Sequence, residues 1–321
     1  MKHGIAAAFA AVYLYLAAGN AAAQEFPTRA VTILVPFSAG GVVDVGVRLV
    51  GEHLSKKWRQ PVVIENRPGA SGMIAARAAA TAKPDGYTLL GAEAGVGVIN
   101  ALIFKDVAYS MEKDLVPILT ITDTPLVLAV NAASGIHSMK DVLIKARDNQ
   151  LNYASPGRGT VNHLTAEWIA METGIKLQHI SYKGGAPAAT AVAAGEVPLA
   201  VLSYSSVTSF VDSGRVKLLA VADNKRTALA PNLPTLQESG IPNVSTTQWV
   251  GFFAPAATPE TVLSKIQNDV SEILGLPEVK DKLSVLGASA SPSTSAEFGA
   301  RLKAERDHFQ KIVKAARIDA N

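Results

Sequence analysis

Three segments place glycine or other small residues between a β-branched apolar run and a helix-like run: Phe37-Ser-Ala-Gly-Gly41, Ser155-Pro-Gly-Arg-Gly-Thr160 and Lys183-Gly-Gly-Ala-Pro187. A helix start offers backbone N–H groups with no partner inside the helix, at the positive end of the peptide dipoles. Glycine lets a ligand come close to that backbone. The chemistry these segments suit is therefore anion binding. One such loop can equally be an ordinary strand-to-helix connection. Several gathered at one cleft would hold an acidic molecule from two sides.

The other candidate chemistry is thin. Ser155 and His163 form the one nucleophile–base pair that can be assembled, eight residues apart, with no acid to orient the histidine. His163 and Glu167 share a helix face at a spacing of four, an incomplete metal set that is more simply structural. Asp44 follows the first Gly-Gly, where it suits the start of a helix and a pairing with Arg48, or else ligand contact. Gly157-Arg-Gly159-Thr-Val-Asn162 lacks the third glycine of a dinucleotide fingerprint, and the chain contains no phosphate loop, nucleophile elbow or His-Glu-x-x-His run. No cofactor and no metal is called for.

The elements that must position these loops alternate. Val31–Phe37 reads as a buried strand, and 42–58 as a helix with the polar stripe Asp44, Arg48, Glu52 and Lys56. Strands at 61–65 and 87–90 flank an alanine-rich helix at 71–82. This βαβαβ run implies a mainly parallel sheet with helices on both faces. The apolar stretch 117–130 is long enough to cross between two bodies. Beyond it, helices at 138–149, 161–173 and after Lys183 alternate with strands at 151–154, 179–182, 197–202 and 217–222. Residues 223–248 read as loop, 248–253 as a strand, and 258–274 and 294–316 as closing helices. The expected fold is α/β, two bodies with the second inserted in the first. Residues 24–123 and 248–321 form one discontinuous domain and 124–247 an inserted one. The strands cross near Thr122 and Trp249, where a ligand cleft and a hinge belong.

Composition narrows the functions. The 321 residues carry 30 Lys and Arg against 27 Asp and Glu, a net charge of +3, too small a balance to attract nucleic acid. Charged residues make up 18% and hydrophobic ones 48%, which argues against disorder. There is no cysteine, so thiolate nucleophiles, disulfides and iron–sulfur clusters are excluded. Lys2, His3, the apolar run Ile5–Ala18 and Ala21-Ala-Ala23 read as a signal peptide for residues 1–23, cleaved after Ala23 to give an exported, periplasmic protein.

Several stretches together resemble one family. They are Phe26-Pro-Thr-Arg-Ala-Val-Thr-Ile-Leu-Val-Pro-Phe-Ser-Ala-Gly-Gly-Val-Val-Asp44, Pro61–Gly69, Pro84–Leu90, Asn152–Thr160 with His163-Leu164, Tyr182–Pro187 and Trp249–Pro255. The chain resembles the Bug family, the extracytoplasmic solute receptors of tripartite tricarboxylate transporters. The resemblance implies a two-domain periplasmic binding protein of the Venus-flytrap kind: a monomeric receptor, not an enzyme, that closes on a small organic acid such as a dicarboxylate or aromatic carboxylate and presents it to membrane permease subunits. It implies that Phe37, Ser38, Ala39, Gly40 and Gly41 grip a ligand carboxylate. Ser155, Gly159, Thr160 and His163 would close from the inserted domain, with Gly184 and Ala186 flanking the cleft. Two positions depart from the family pattern. Leu202-Ser203 stands where many relatives have Asp-Asn, and Glu93, before Ala94-Gly95, stands where a small or hydroxyl residue is usual. The expectation is an apolar far wall near Leu202, with Glu93 reading any polar ligand group. The alternatives are a sensory partner of a membrane kinase and, further off, an exported hydrolase.

Overall fold

The computed structural model describes residues 26–318. The expected signal peptide lies outside them. The order is β1 (Val31–Val35), α1 (Val42–Trp58), β2 (Val62–Asn66), α2 (Met73–Ala80), β3 (Thr88–Glu93), a π-helical turn (Gly95–Ile99) running into α3 (Asn100–Ile103), and the long β4 (Leu115–Asn131). Then come α4 (Met139–Asp148), β5 (Leu151–Ser155), α5 (Val161–Thr173), β6 (Leu177–Ser181), α6 (Gly185–Ala194), β7 (Leu199–Ser203), α7 (Tyr204–Asp212) and β8 (Val216–Val221). The chain closes with β9 (Thr247–Pro255), α8 (Glu260–Gly275), α9 (Pro277–Val285), β10 (Ser289–Ala290) and α10 (Ser295–Ala315).

The strands run β2-β1-β3-β9-β4-β7-β5-β6, with β8 and β10 also on β4. The expected parallel βαβαβ unit is present as β2-β1-β3. A second parallel set, β6-β5-β7, follows. Between them the pairing is antiparallel, because β4 and β9 run back through the middle. The mainly parallel sheet expected is thus corrected to a mixed one. β4 itself changes partners. Up to Pro125 it pairs with β9, and from Leu126 onward with β7 and β8. One strand therefore belongs to two lobes.

Helices cover both faces. The expected stripe of α1 is laid out as paired charges, Arg48 on Asp44 and Lys56 on Glu52, while Val43, Val47, Val50 and Leu54 pack against β1 and α8. On the opposite face α2, α10 and Trp249 of β9 share a core that continues into α5 of the second lobe. Trp168 of α5 stacks on His308 of α10 at 3.6 Å. Behind the crossing strands, Arg301 of α10 donates to both carboxylate oxygens of Asp123 and to Thr247 Oγ1, so the last helix holds β4 and β9 together.

Three helices (α3, α7 and α9), the π-helical turn and the short strand β10 were not expected. α7 begins Tyr204-Ser-Ser-Val-Thr-Ser, a composition that intrinsically favours turns, and it is helical because Val207 packs into the second lobe's core. α9 is short and opens on Pro277, a legitimate first helical residue.

Candidate functional site

The first loop is held by the side chain that follows it. Gly41 is the N-cap of α1, and no side chain caps the helix. The first-turn amides consequently have no partner within the helix. Asp44, 2% exposed, turns back under the loop. Its carboxylate accepts from Gly40 N–H at 2.8 Å, from Arg48 Nε at 2.9 and 3.0 Å, and from Asn66 Nδ2 at 2.8 Å. Asn66 Nδ2 also donates to the Phe37 carbonyl, and Arg48 Nη2 to Asn66 Oδ1. Burial works against the Asp44 charge, but the bonds from Arg48, Gly40 and Asn66 outweigh it and hold its pKa below the ordinary value. Each of the two Asp44 oxygens thus accepts two bonds, and the carboxylate braces the loop. Phe37 is half-buried against both cores of the first lobe, and Ser38 to Gly41 are exposed.

The first and third loops meet at one cleft of about 760 Å³. Gly40, Gly41 and Val42 line it from the first lobe, and Lys183 to Pro187 from the second. Gly184 is the N-cap of α6, again with no side-chain cap, and its own N–H is tied to the Pro156 carbonyl at 2.8 Å. Lys183 is the one charged side chain among the lining residues. Gly184 and Ala186, expected at the cleft, stand there.

The second loop turns elsewhere. Ser155 is fully buried, and its Oγ meets His179 Nε2 at 2.7 Å rather than His163. His163 Nδ1 accepts from Gly159 N–H at 3.0 Å, which puts the ring proton of the neutral form on Nε2. Thr160 Oγ1 caps α5 by accepting from His163 N–H. The His163 and His179 rings stack at 4.0 Å. Burial, then the neighbouring charges, pushes His163 down to about 3; burial and Arg158 push His179 down to about 4. Gly159 has φ +75°, and a Cβ there would stand 2.4 Å from Ile103 Cδ1, so this loop is seated against α3 of the first lobe. Ser155, Gly159, Thr160 and His163 are not among the residues that line the cleft.

Glu93, Ala94 and Leu202 are not brought to the cleft either. Leu202 is fully buried opposite Val127 in the second lobe's core. Its side chain packs in that core and is not among the residues lining the cleft. Glu93 closes β3 at 7% exposure and folds back to accept from Gly95 N–H at 3.1 Å. Burial raises its pKa to about 7, with Gly95 opposing and Glu305 adding to the rise. Ala94 is buried at the start of the π-helical turn.

The lining residues that sequence reasoning missed come from the unexpected elements: Ser205, Ser206 and Phe210 on α7, and Leu283, Val285 and Leu286 on α9. A signal was present for the first group. β7 passes directly into α7 at Ser203, the same strand-to-helix device as the other loops but without glycine. Among the described residues no group of three or more His, Asp or Glu could hold a metal, and no helix is long and apolar enough to cross a membrane.

Comparison with known proteins agrees with this architecture. The profile of the tripartite tricarboxylate transporter family receptor matches residues 47–316. The chain belongs to that receptor family. A UPF0065 protein of Bordetella bronchiseptica is 36% identical over 309 residues, 96% of this receptor and 92% of the relative. Among solved structures, R. palustris Rpa4515 with adipate superposes with a TM-score of 0.83 at 31% identity, covering 92% of this receptor and 99% of that chain. MatC from Rhodopseudomonas palustris with bound malate gives 0.78 at 28% identity, covering 90% and 100%. The receptor is thus a two-lobed α/β solute-binding protein, as the resemblance implied.

Proposed function

We propose that this receptor captures a small organic carboxylate between residues 26–123 with 248–318 on one side and 124–247 on the other, and delivers it to the membrane subunits of a tripartite tricarboxylate-type permease. The observation that carries the reading is the cleft where α1 and α6 begin, with Lys183 as its one charged lining residue. Such a site attracts an anion through backbone N–H groups and a single ammonium. The relatives solved with adipate and malate support the ligand class. The receptor works as a monomer in the periplasm after cleavage following Ala23. It holds its ligand without transforming it, since Ser155 and His163 are tied up in the second lobe. Closure bends β4 and β9 where β4 changes partners at Pro125 and Leu126.

A thermal-shift screen of organic acids, amines and sugars tests this. A ligand at 100 times its dissociation constant adds about 2.7 kcal/mol, enough to raise the melting temperature of the receptor visibly. At least one carboxylate is expected to do so. A shift with neutral sugars or amines and none with carboxylates would refute the reading.

A further inference from the structure

The cleft has two unlike linings. Ser205 and Ser206, at the start of α7, stand beside Gly185; a Cβ on Gly185 would fall 2.5 Å from Ser206 Oγ. Five residues further along the same helix is Phe210, about 7.5 Å away at the rise of an α-helix. The Arg215 guanidinium covers one face of the Phe210 ring at 4.7 Å. Across from α7, the last turn of α9 contributes Leu283, Val285 and Leu286. Leu283 is buried, but Val285 is 89% exposed and Leu286 42% exposed. Scattered surface apolar residues need no explanation. An adjacent pair of large ones, both lining a ligand cleft and supported by a buried leucine and an aromatic ring, makes an apolar wall with nothing of the protein upon it.

The charge inventory sharpens this. No acidic side chain lines the cleft, so an ammonium group would find no counter-ion, and the single cation, Lys183, belongs to the α6 start. A second carboxylate lying against Val285, Leu286 and Phe210 would find no further cation among the lining residues, only the neutral hydroxyls of Thr208 and Ser209 on α7. The volume of about 760 Å³ is that of a pocket for a drug-sized molecule, well beyond a four-carbon diacid.

We propose that the ligand of this receptor is an amphipathic monocarboxylate, with its anionic head at the starts of α1 and α6 and an apolar body, aliphatic or aromatic, on Phe210, Val285 and Leu286. This rests on the carboxylate-receptor reading and narrows it. Titration calorimetry with octanoate, phenylacetate, malate, adipate and aspartate provides the test, on the wild type and on Val285→Asn and Leu286→Asn. Both variants lie at exposed positions and leave the core intact. Octanoate or phenylacetate is expected to bind at least ten-fold tighter than malate or adipate, with aspartate weakest. Leu286→Asn is expected to weaken the tight monocarboxylate ten-fold or more and to leave malate within two-fold. Malate or adipate binding tighter than both monocarboxylates, or monocarboxylate affinity unmoved by both variants, would overturn the proposal while leaving the receptor reading intact. If none of the acids binds while a sugar or amine does, the receptor reading fails first and this proposal with it.

Discussion

Gly41 offers the sharpest separation of binding from folding. Its φ of −77° and ψ of 168° are open to every residue, and a Cβ there would meet only the Ser38 carbonyl, at 3.6 Å. Gly41→Leu therefore loses N-cap preference and little else, about 1 kcal/mol, a fall of roughly 2–4 °C in melting temperature for a chain of this size. The leucine would stand over the first-turn amides of α1. Two hydrogen bonds to a charged carboxylate are worth about 1.5–3 kcal/mol each, so affinity should drop by on the order of 100-fold or more. Gly40→Leu would be a poorer probe, since φ there is +85° and the residue's own amide is held by Asp44. Gly41→Ser moves the two observables in opposite directions. The serine hydroxyl caps the helix and raises the melting temperature, yet it occupies an amide the ligand needs and weakens binding. Calorimetry with the best carboxylate from the screen, beside a melting curve for each variant, decides the matter. A folded Gly41→Leu receptor that binds within three-fold of wild type would refute the assignment of the α1 start to the ligand.

Three further perturbations follow from buried charge. Asp44→Ala strips partners from Gly40 N–H and Asn66 and should cost about 2–4 kcal/mol in urea unfolding, with affinity falling as the loop loosens; Asp44→Asn should recover part of both. Because the folded-state pKa of Asp44 is depressed, its stabilisation is complete above 3.8 and drains away as pH falls through the lower folded value. Glu93 has the opposite sign: raised from 4.5 to about 7, it makes the fold lose stability as pH rises across that window, by about 3 kcal/mol. Glu93→Gln should remove that slope and stabilise the receptor at pH 8, as read by urea midpoints. The neutral His163 and His179 pair must lose stability as pH falls from 6.5 towards 4 and below, because only the unfolded chain then takes up protons. His163→Gln should flatten that acid limb, and an unchanged limb would mean that the ring is not buried as described.

What could be read in advance depended on the range of the interactions that decide each position. The loops at 37–41 and 183–187 are local junctions, with small residues, a β-branched run before and a helix after, and both were legible and meet at the cleft. The paired stripe on α1 was likewise legible because its partners are four residues apart. Ser155 could not be placed from its neighbours, because its hydroxyl is claimed by His179 from β6, 24 residues away. Nor could Leu202. In a strand a shift of one residue exchanges the two faces, and only the pairing with Val127 fixes which face looks inward. The serines of α7 hide a helix that tertiary packing imposes, and with it much of the cleft went unread.

The geometry divides the work between backbone and side chains. An acid in the first turn of α1 ought to quench the positive end of that helix and repel an anion. Here Arg48 pairs with its charge while Gly40 and Asn66 N–H groups occupy its oxygens, and the acid becomes the clamp that shapes Phe37 to Gly41. The field left at the α1 start is that of its own first-turn amides, which no side chain caps. Recognition of a carboxylate therefore asks for no particular side chain in the cleft beyond Lys183, and the loop can stay fixed while the rest of the lining varies. Selectivity must then reside where side chains differ, on α7 and on the last turn of α9. Those are the elements that carry Phe210, Val285 and Leu286, and with them the length and polarity of whatever body the carboxylate brings.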